Sequence, residues 1–164
     1  MADYDSEFTS LVRRYGERLY WHIRSIVNSH DDADDVLQNV FLKAWRGLPF
    51  FNRKSSEFTW LWRIATNEAL SHLRKEKLRS VFTGLDSARD AASDPYFNGD
   101  EAEARFRTAI AHLPEKQRAV FCMRYYEDLS YEQISEITGT SLGALKASHH
   151  IAREKVEAEL NQTI

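Results

Sequence analysis

The sequence predicts an all-α protein made of two small helical bundles joined by an acidic linker, the second containing a helix-turn-helix. The chain has 164 residues with only six glycines and three prolines, so little interrupts a helix. An acidic segment with the small, Gly- and Pro-containing composition of a linker covers residues 81–104. Two short amphipathic segments meet at Gly139. We therefore expect one bundle in residues 1–80 and another in residues 105–164.

The composition excludes several classes of protein. With 43% hydrophobic and 12% aromatic residues, the chain should fold. The single cysteine, Cys122, excludes an internal disulfide framework, fits a reducing cytosol, and is expected in the core. No apolar stretch approaches membrane-spanning length, and the acidic start "MADYDSEF" is unlike a signal peptide. We expect a cytoplasmic protein with no membrane insertion.

Charge is sorted along the chain although the net charge is only −3. Residues 43–79 contain nine Lys or Arg against three acids, whereas residues 81–104 contain one Arg against six acids. This asymmetry is typical of a nucleic-acid surface. Ordinary helical proteins also vary in local charge, so only the motifs can distinguish a nucleic-acid surface from ordinary variation.

The first helix with a clear start signal is capped by Asp31-Asp32 and runs to about Gly47. At helical spacing its apolar residues share one side, which should be core: Val36, Leu37, Val40, Phe41, Ala44 and Leu48. Asp35, Gln38, Leu42 and Trp45 fall on the other side or its flank. An exposed Leu beside a Trp predicts a partner-binding patch. The alternative is that Trp45 packs beneath another helix.

A second long helix is predicted from Glu57 to Lys77, with Ser55 or Ser56 as its N-cap. One side should be core: Phe58, Leu61, Trp62, Ala65, Ala69 and His72. His72 is expected to be a packed or edge histidine and not a metal ligand. The opposite side carries Trp60, Arg63, Asn67, Leu70 and Arg74. An aromatic ring, an amide and two guanidiniums suit single-stranded DNA, although a solvated helix face is the alternative.

The helix-turn-helix lies near the end of the chain. Pro114 suits the first turn of a preceding helix. Ser130 can cap a short helix over residues 132–138, Gly139 can supply the left-handed turn, and Ser141 can cap the next helix. The last helix should turn one stripe inward: Leu142, Leu145, His149, Ala152, Val156 and Leu160. The small residues of its outward face suit the major groove, and Lys146 and Arg153 can contact phosphates. Listed in full, the outward face is Gly143, Ala144, Ala147, Ser148, His150 and Ile151.

These segments together resemble the extracytoplasmic-function group of bacterial sigma factors, in the sigma-70 family. "DDADDVLQNVFLKAWRGLPFF" and "FTWLWRIATNEALSHLRKEK" look like sigma region 2, and "LPEKQRAVFCMRYYEDLSYEQISEITGTSLGALKASHHIAREKV" looks like sigma region 4. The resemblance implies an alternative sigma factor that binds core RNA polymerase and directs promoter-specific transcription initiation. Promoter DNA and an anti-sigma factor are the other implied partners.

The resemblance also implies three sets of contact residues. Polymerase binding maps to Asp35, Gln38, Leu42 and Trp45. Contact with the −10 element maps to Lys54, Trp60, Arg63, Asn67 and Arg74. Contact with the −35 element maps to Ser130, Tyr131, Ala144, Lys146, Ala147, Ser148, His150 and Arg153. The sequence departs from the family at His149, where Leu is usual, and we expect a hydrogen-bonded core histidine there.

Three rival functions remain open at this point. A two-domain DNA-binding regulator that works without polymerase explains the helix-turn-helix but not the aromatic and basic face of the first bundle. A sigma mimic that only titrates an anti-sigma factor has the same sequence features. An enzyme is disfavoured, since no catalytic constellation, metal-ligand spacing or phosphate-binding loop is evident. We therefore expect no catalytic residues, no metal, no cofactor and no small-molecule substrate.

Overall fold

The computed structural model of the chain describes residues 2–84 and 99–162, and every regular element in them is helical. Seven α-helices follow one another in this part of the chain. They are α1 (Ala2–Ile26), α2 (His30–Gly47), α3 (Glu57–Thr83), α4 (Glu101–Ala111), α5 (Glu115–Tyr125), α6 (Tyr131–Thr138) and α7 (Leu142–Gln162). A 3-10 turn, Leu48–Phe50, follows α2. The predicted all-α fold is confirmed.

Helices α1, α2 and α3 pack against one another and form the N-terminal half. Their contacting sides are the predicted apolar stripes, with Val36, Val40 and Ala44 of α2 and Leu61 and Trp62 of α3 buried. The long helix α1 adds an apolar side that the sequence analysis did not assign, comprising Leu11, Leu19, Ile23 and Ile26. Burial of these faces, at about 25 cal/mol per Å² of apolar surface, is the main stabilising term of the half.

Helices α4 to α7 form the C-terminal half, with α7 packed against α4, α5 and α6. Leu145, Ala152 and Val156 of α7 point into this core, as their spacing predicts. Cys122 is fully buried, which agrees with its predicted place as a small core residue, and burial raises the pKa of its thiol.

The two halves also pack against each other, through contacts of α3 with α5 and α6 and of α1 with α5. Buried residues of both halves belong to one continuous apolar cluster. The larger part of the predicted linker, residues 85–98, lies outside the described residues.

Several local predictions need correction. The N-cap of α2 is Ser29, whose hydroxyl accepts from the Asp32 amide, because the helix begins one residue before Asp31. Helix α3 continues past Lys77 to Thr83 and ends where Gly84 adopts a left-handed φ of 71°. Leu142, placed inward by the stripe, is 39% exposed because it lies at the first residue of α7.

Candidate polymerase and promoter interfaces

The predicted polymerase patch is a solvent-facing stripe on α2. Asp35 and Gln38 are exposed, and Leu42 and Trp45 are 53% and 51% exposed. The core-facing side of the same helix is taken up by α1 and α3. Trp45 therefore does not pack beneath another helix, and an indole next to an isobutyl group remains on the surface. Such an exposed apolar pair, rimmed by polar groups, is typical of a protein-binding site.

The predicted −10 residues are divided between a cleft and the helix surface beyond it. Lys54, Trp60 and Arg63 line a cleft of about 350 Å³ between α3 and the preceding loop. The Asn52 side chain shapes this loop by accepting from the Lys54 amide at 3.0 Å, and Ser56 caps α3 by accepting from the Thr59 amide. Asn67 and Arg74 are exposed further along α3 and do not line the cleft.

One face of Trp60 is covered. The Phe51 ring stacks on it with centroids 4.7 Å apart and an interplanar angle of 15°. The exposed aromatic at the cleft is instead Phe50, which is 85% exposed. Phe50 was not among the predicted contacts, although the pair Phe50-Phe51 directly after a helix was a visible signal. The cleft thus offers an open ring, an ammonium and a guanidinium, which suits an unstacked base and its phosphate.

Two predicted −10 arginines are engaged by the C-terminal half. Arg63 Nε donates to the Glu136 carbonyl of α6 at 2.8 Å, and Arg74 Nη1 pairs with the Glu115 carboxylate of α5 at 3.0 Å. In this arrangement of the halves, the α3 face is only partly open to a ligand.

The helix-turn-helix of α6 and α7 has the predicted caps. Ser130 and Gln133 form a reciprocal capping box, Gly139 has a left-handed φ of 73°, and the Ser141 hydroxyl accepts from the Ala144 amide. Helix α6 begins at Tyr131, one residue earlier than predicted. The turn therefore presents α7 in the orientation that the sequence pattern implies.

The outward face of α7 is exposed at most of the predicted −35 positions. Ala144, Lys146, Ala147, His150 and Arg153 are exposed. Ser148 is half-buried, and His150 and Arg153 each lie near a glutamate one turn later, at 3.1 and 3.8 Å. The other two predicted −35 residues lie at the start of α6, where Ser130 is the N-cap and half-buried Tyr131 is the first helical residue.

His149 is the hydrogen-bonded inward histidine that was predicted. Its Nδ1 lies 2.7 Å from the Tyr131 hydroxyl, and its ring also packs near Phe121. Burial lowers the pKa of His149, and the positive charges of Arg124, Arg153 and His150 lower it further. The ring therefore serves as a packed, neutral element of the C-terminal half at neutral pH.

One group in the described part of the chain has the composition of a metal site. Asp32, His72 and Glu76 offer ligand atoms within 4.8 Å of one another. His72 Nε2 lies 3.3 Å from Asp32 and 3.9 Å from Glu76, and the hydrogen bond of Asp32 raises the pKa of His72. Pairing of the His72 imidazole with two carboxylates accounts for this arrangement. The proximity of Asp32 to His72 escaped the sequence analysis because the two residues belong to different helices.

The contacts between the halves include buried polar groups that sequence reasoning missed. The Glu127 carboxylate accepts from Trp62 Nε1 at 2.9 Å and bonds to Nδ1 of fully buried His22, whose Nε2 lies 2.9 Å from the Thr66 hydroxyl. The Arg107 guanidinium donates to three carbonyls at the end of α1, those of Arg24, Ser25 and Val27. Arg107 thus donates hydrogen bonds to carbonyls at the C-terminus of α1 that have no backbone donor within the helix.

Comparison with known proteins agrees with this geometry. Residues 11–79 match the family model for sigma-70 region 2, and residues 103–156 match that for sigma-70 region 4. The chain is 32% identical to the RNA polymerase sigma-H factor of Pseudomonas aeruginosa over 93% of this chain and 86% of that protein. It is 31% identical to the ECF RNA polymerase sigma-E factor of Escherichia coli K12 over 96% and 88%.

Two solved structures have a similar fold. The sigma factor RpoE in complex with the anti-sigma factor NepR from Bartonella quintana matches with a TM-score of 0.68 at 25% identity, over 98% of both chains. CnrH in complex with the cytosolic domain of CnrY matches with a TM-score of 0.67 at 24% identity, over 96% of this chain and 90% of that one. None of the helices in the described part of the chain combines the length and hydrophobicity needed to cross a bilayer. Two region matches in the expected order and relatives similar over nearly their whole length show that the chain belongs to the extracytoplasmic-function sigma factors of the sigma-70 family.

Proposed function

We propose that this sigma factor docks on core RNA polymerase through the α2 patch, opens and reads the −10 element with the α3 cleft, and reads the −35 element with α7. The observation that carries the proposal is the exposure of Leu42 and Trp45 beside Asp35 and Gln38. A regulator that binds DNA without polymerase has no need of this apolar stripe. The patch therefore favours a polymerase subunit over that alternative.

The two promoter surfaces differ in chemistry, which supports a division of work between them. The cleft at Trp60 and Phe50 combines aromatic rings with Lys54 and Arg63, so it suits unpaired bases. Helix α7 exposes small residues flanked by Lys146 and Arg153, so it suits the major groove of a duplex. The −10 contacts of Lys54, Trp60, Arg63, Asn67 and Arg74, and the −35 contacts named above, are proposed on this basis.

Two further features of the protein follow from this function. An anti-sigma factor is a proposed partner, because both structural neighbours were solved with a bound protein, one of them an anti-sigma factor by name. The cytoplasm is the proposed location, because the bacterial RNA polymerase works there. A transcription initiation factor of this kind is not itself an enzyme.

Run-off transcription with core polymerase and a genomic promoter library tests the proposal. The wild-type chain should direct transcripts from a defined promoter set, which neither a polymerase-independent regulator nor a sigma mimic would do.

Leu42→Asp should abolish both holoenzyme assembly and transcription, since it places a charge in the patch. Leu78→Asp is the matched control, because Leu78 is 59% exposed outside the patch. Normal assembly of Leu42→Asp would contradict the docking assignment.

The −35 assignment predicts a change in the salt dependence of DNA binding. Lys146→Ala in the holoenzyme should reduce the slope of log K against log salt by about 0.9 and weaken all promoters alike. Ala147→Ser should instead change which base is preferred and leave the slope unchanged. Fluorescence binding to a randomised −35 pool at two salt concentrations separates these effects. A changed base preference in Lys146→Ala would mean that α7 enters the groove in another orientation.

A further inference from the structure

Arg118 of α5 is a buried cation with no ion-pair partner, although the more distant Asp32 carboxylate partly offsets its charge. It is 4% exposed, and its single side-chain hydrogen bond runs from Nη2 to the Asn28 side chain at 2.9 Å. Its Nε has no partner, and no described carboxylate forms an ion pair with it. Burial lowers the pKa of Arg118 to about 10. An ionised side chain removed from water normally gains a paired charge, so this guanidinium lacks the partner that its burial calls for.

Arg118 lines a cleft of about 400 Å³ at the junction of the two halves. Asn28, Leu73 and Lys77 line it from the N-terminal half, and Leu113, Pro114 and Glu115 line it from the C-terminal half. Lys77 is exposed and forms no ion pair with a described residue. The cleft therefore brings together a guanidinium and an ammonium that the protein itself leaves unneutralised.

The N-terminus of α5 opens at the same cleft. Its N-cap, Pro114, supplies no side-chain acceptor, and the first backbone bond of the helix is from the Arg118 amide to the Pro114 carbonyl at 2.8 Å. The amides of Glu115, Lys116 and Gln117 thus have no acceptor within the helix. Unpaired amides at the positive end of a helix favour an anion, and the unneutralised Arg118 is an independent indication of one.

The two carboxylates that line the cleft are already paired. Glu76 bonds to Arg79 at 3.0 Å, and Glu115 bonds to Arg74 at 3.0 Å. Neither Arg79 nor Arg74 lines the cleft. The charge that remains unpaired at the cleft is therefore positive.

We propose that this cleft binds the phosphate group of a small molecule, held by Arg118, Lys77 and the first amides of α5. A tetrahedral phosphate accepts hydrogen bonds from several directions, which matches donors that come from two helices of different halves. The cleft is also large enough for more than the phosphate group itself. Because both halves line it, an occupied cleft stabilises their packed arrangement. The sigma-factor assignment neither requires this site nor depends on it.

The test measures binding to the full chain by calorimetry at constant ionic strength, with inorganic phosphate, adenosine 5′-monophosphate and adenosine as probes. Both phosphate-bearing probes should bind and adenosine should not. Tighter binding of the nucleotide identifies a phosphate ester as the ligand class, and tighter binding of inorganic phosphate identifies the free ion. Amide NMR shifts should change at Leu113, Glu115, Lys116 and Gln117.

Lys77→Gln should weaken phosphate binding about tenfold or more, because it removes one charged donor. Lys75→Gln is the matched control, since Lys75 is an exposed lysine of the same helix that does not line the cleft. Arg118→Gln should abolish binding, and where it impairs folding, Lys77→Gln decides alone. Equal affinities of the Lys77 and Lys75 variants, NMR shifts confined to α7, or the absence of binding would each overturn the proposal.

Discussion

His149 shows how a single residue couples the C-terminal half to pH. Its pKa in the folded protein is lowered, so the unfolded chain takes up a proton first as the pH falls below about 6.5. The stability that neutral His149 contributes is therefore fully present above that pH. It is lost as the pH falls towards the lowered pKa of the folded state.

His149→Leu should remove this pH dependence. Between pH 7.5 and pH 5.5, the wild type should lose more free energy of unfolding than the variant does, as measured by urea denaturation at each pH. His150→Gln is the control, because the neighbouring His150 points in another direction and is exposed. Parallel losses in the wild type and His149→Leu would show that the Tyr131 bond does not depend on the neutral ring.

Residues whose partners are close in sequence were predictable, and residues with distant partners were not. His149 was assigned from helical spacing alone. His22 and Arg118 bond to residues 105 and 90 positions away, so no local pattern marks them. Phe51 was not among the predicted contact residues, and its stacking on Trp60 is visible only once the loop has folded back on α3.

At the scale of elements, the turn between α6 and α7 depends on the backbone of one residue. Gly139 has a φ of 73°, and a Cβ built there would meet nothing within 4 Å. Any cost of a side chain at this position therefore comes from the left-handed backbone and not from a clash. Gly143, the second residue of α7, also has open space, but its φ is not left-handed.

The same substitution should consequently have opposite effects at these two positions. Gly139→Ala should lower the free energy of unfolding by about 1–2 kcal/mol, because of the left-handed φ. Gly143→Ala should raise it by about 0.5–1 kcal/mol, because alanine is the better helix former. Urea denaturation of both variants measures the difference. Equal effects would show that the turn does not require its left-handed residue.

Element boundaries were predicted where a capping signal exists. Ser56, Ser130 and Gly139 act as the sequence indicates. The end of α3 was placed too early, because no stop signal separates Lys77 from Thr83 and the ending depends on Gly84. Packing against the C-terminal half covers part of this helix, and its contribution is not visible in the local sequence.

At the scale of the whole molecule, the packing of the halves depends on Arg107. Its three carbonyl acceptors lie at or just after the end of α1, and its neighbour Arg105 is exposed with no described partner. Arg107→Ala should lower the free energy of unfolding by about 1–3 kcal/mol, because three carbonyls lose a charged donor, although those of Ser25 and Val27 keep another donor, from Cys122 and Arg24. Arg105→Ala should have little effect. Equal losses for both variants would contradict a specific role for Arg107.

A cut between the halves tests their association directly. A protease site inserted within residues 85–98 allows the purified chain to be cleaved there. The two fragments should elute together from a sizing column, held by the Arg107, Glu127 and Arg118 contacts. Arg107→Ala should promote their separation. Fragments of the wild type that separate at micromolar concentration would show that these contacts do not hold the halves together.

Arg107, which donates hydrogen bonds to the carbonyls at the end of α1, is synthesised long after that helix. Arg107 is 80 to 83 residues beyond the carbonyls it serves. At roughly 5–20 residues per second, a ribosome takes about 4–16 s to make that stretch. When Arg107 has been made, Arg63 and Arg74 still have neither α5 nor α6 to bind, because Glu115 and Glu136 come later in the chain. Packing of the two halves is therefore completed only late in synthesis, and slower translation of the second half lengthens the time during which the nascent N-terminal half lacks these contacts.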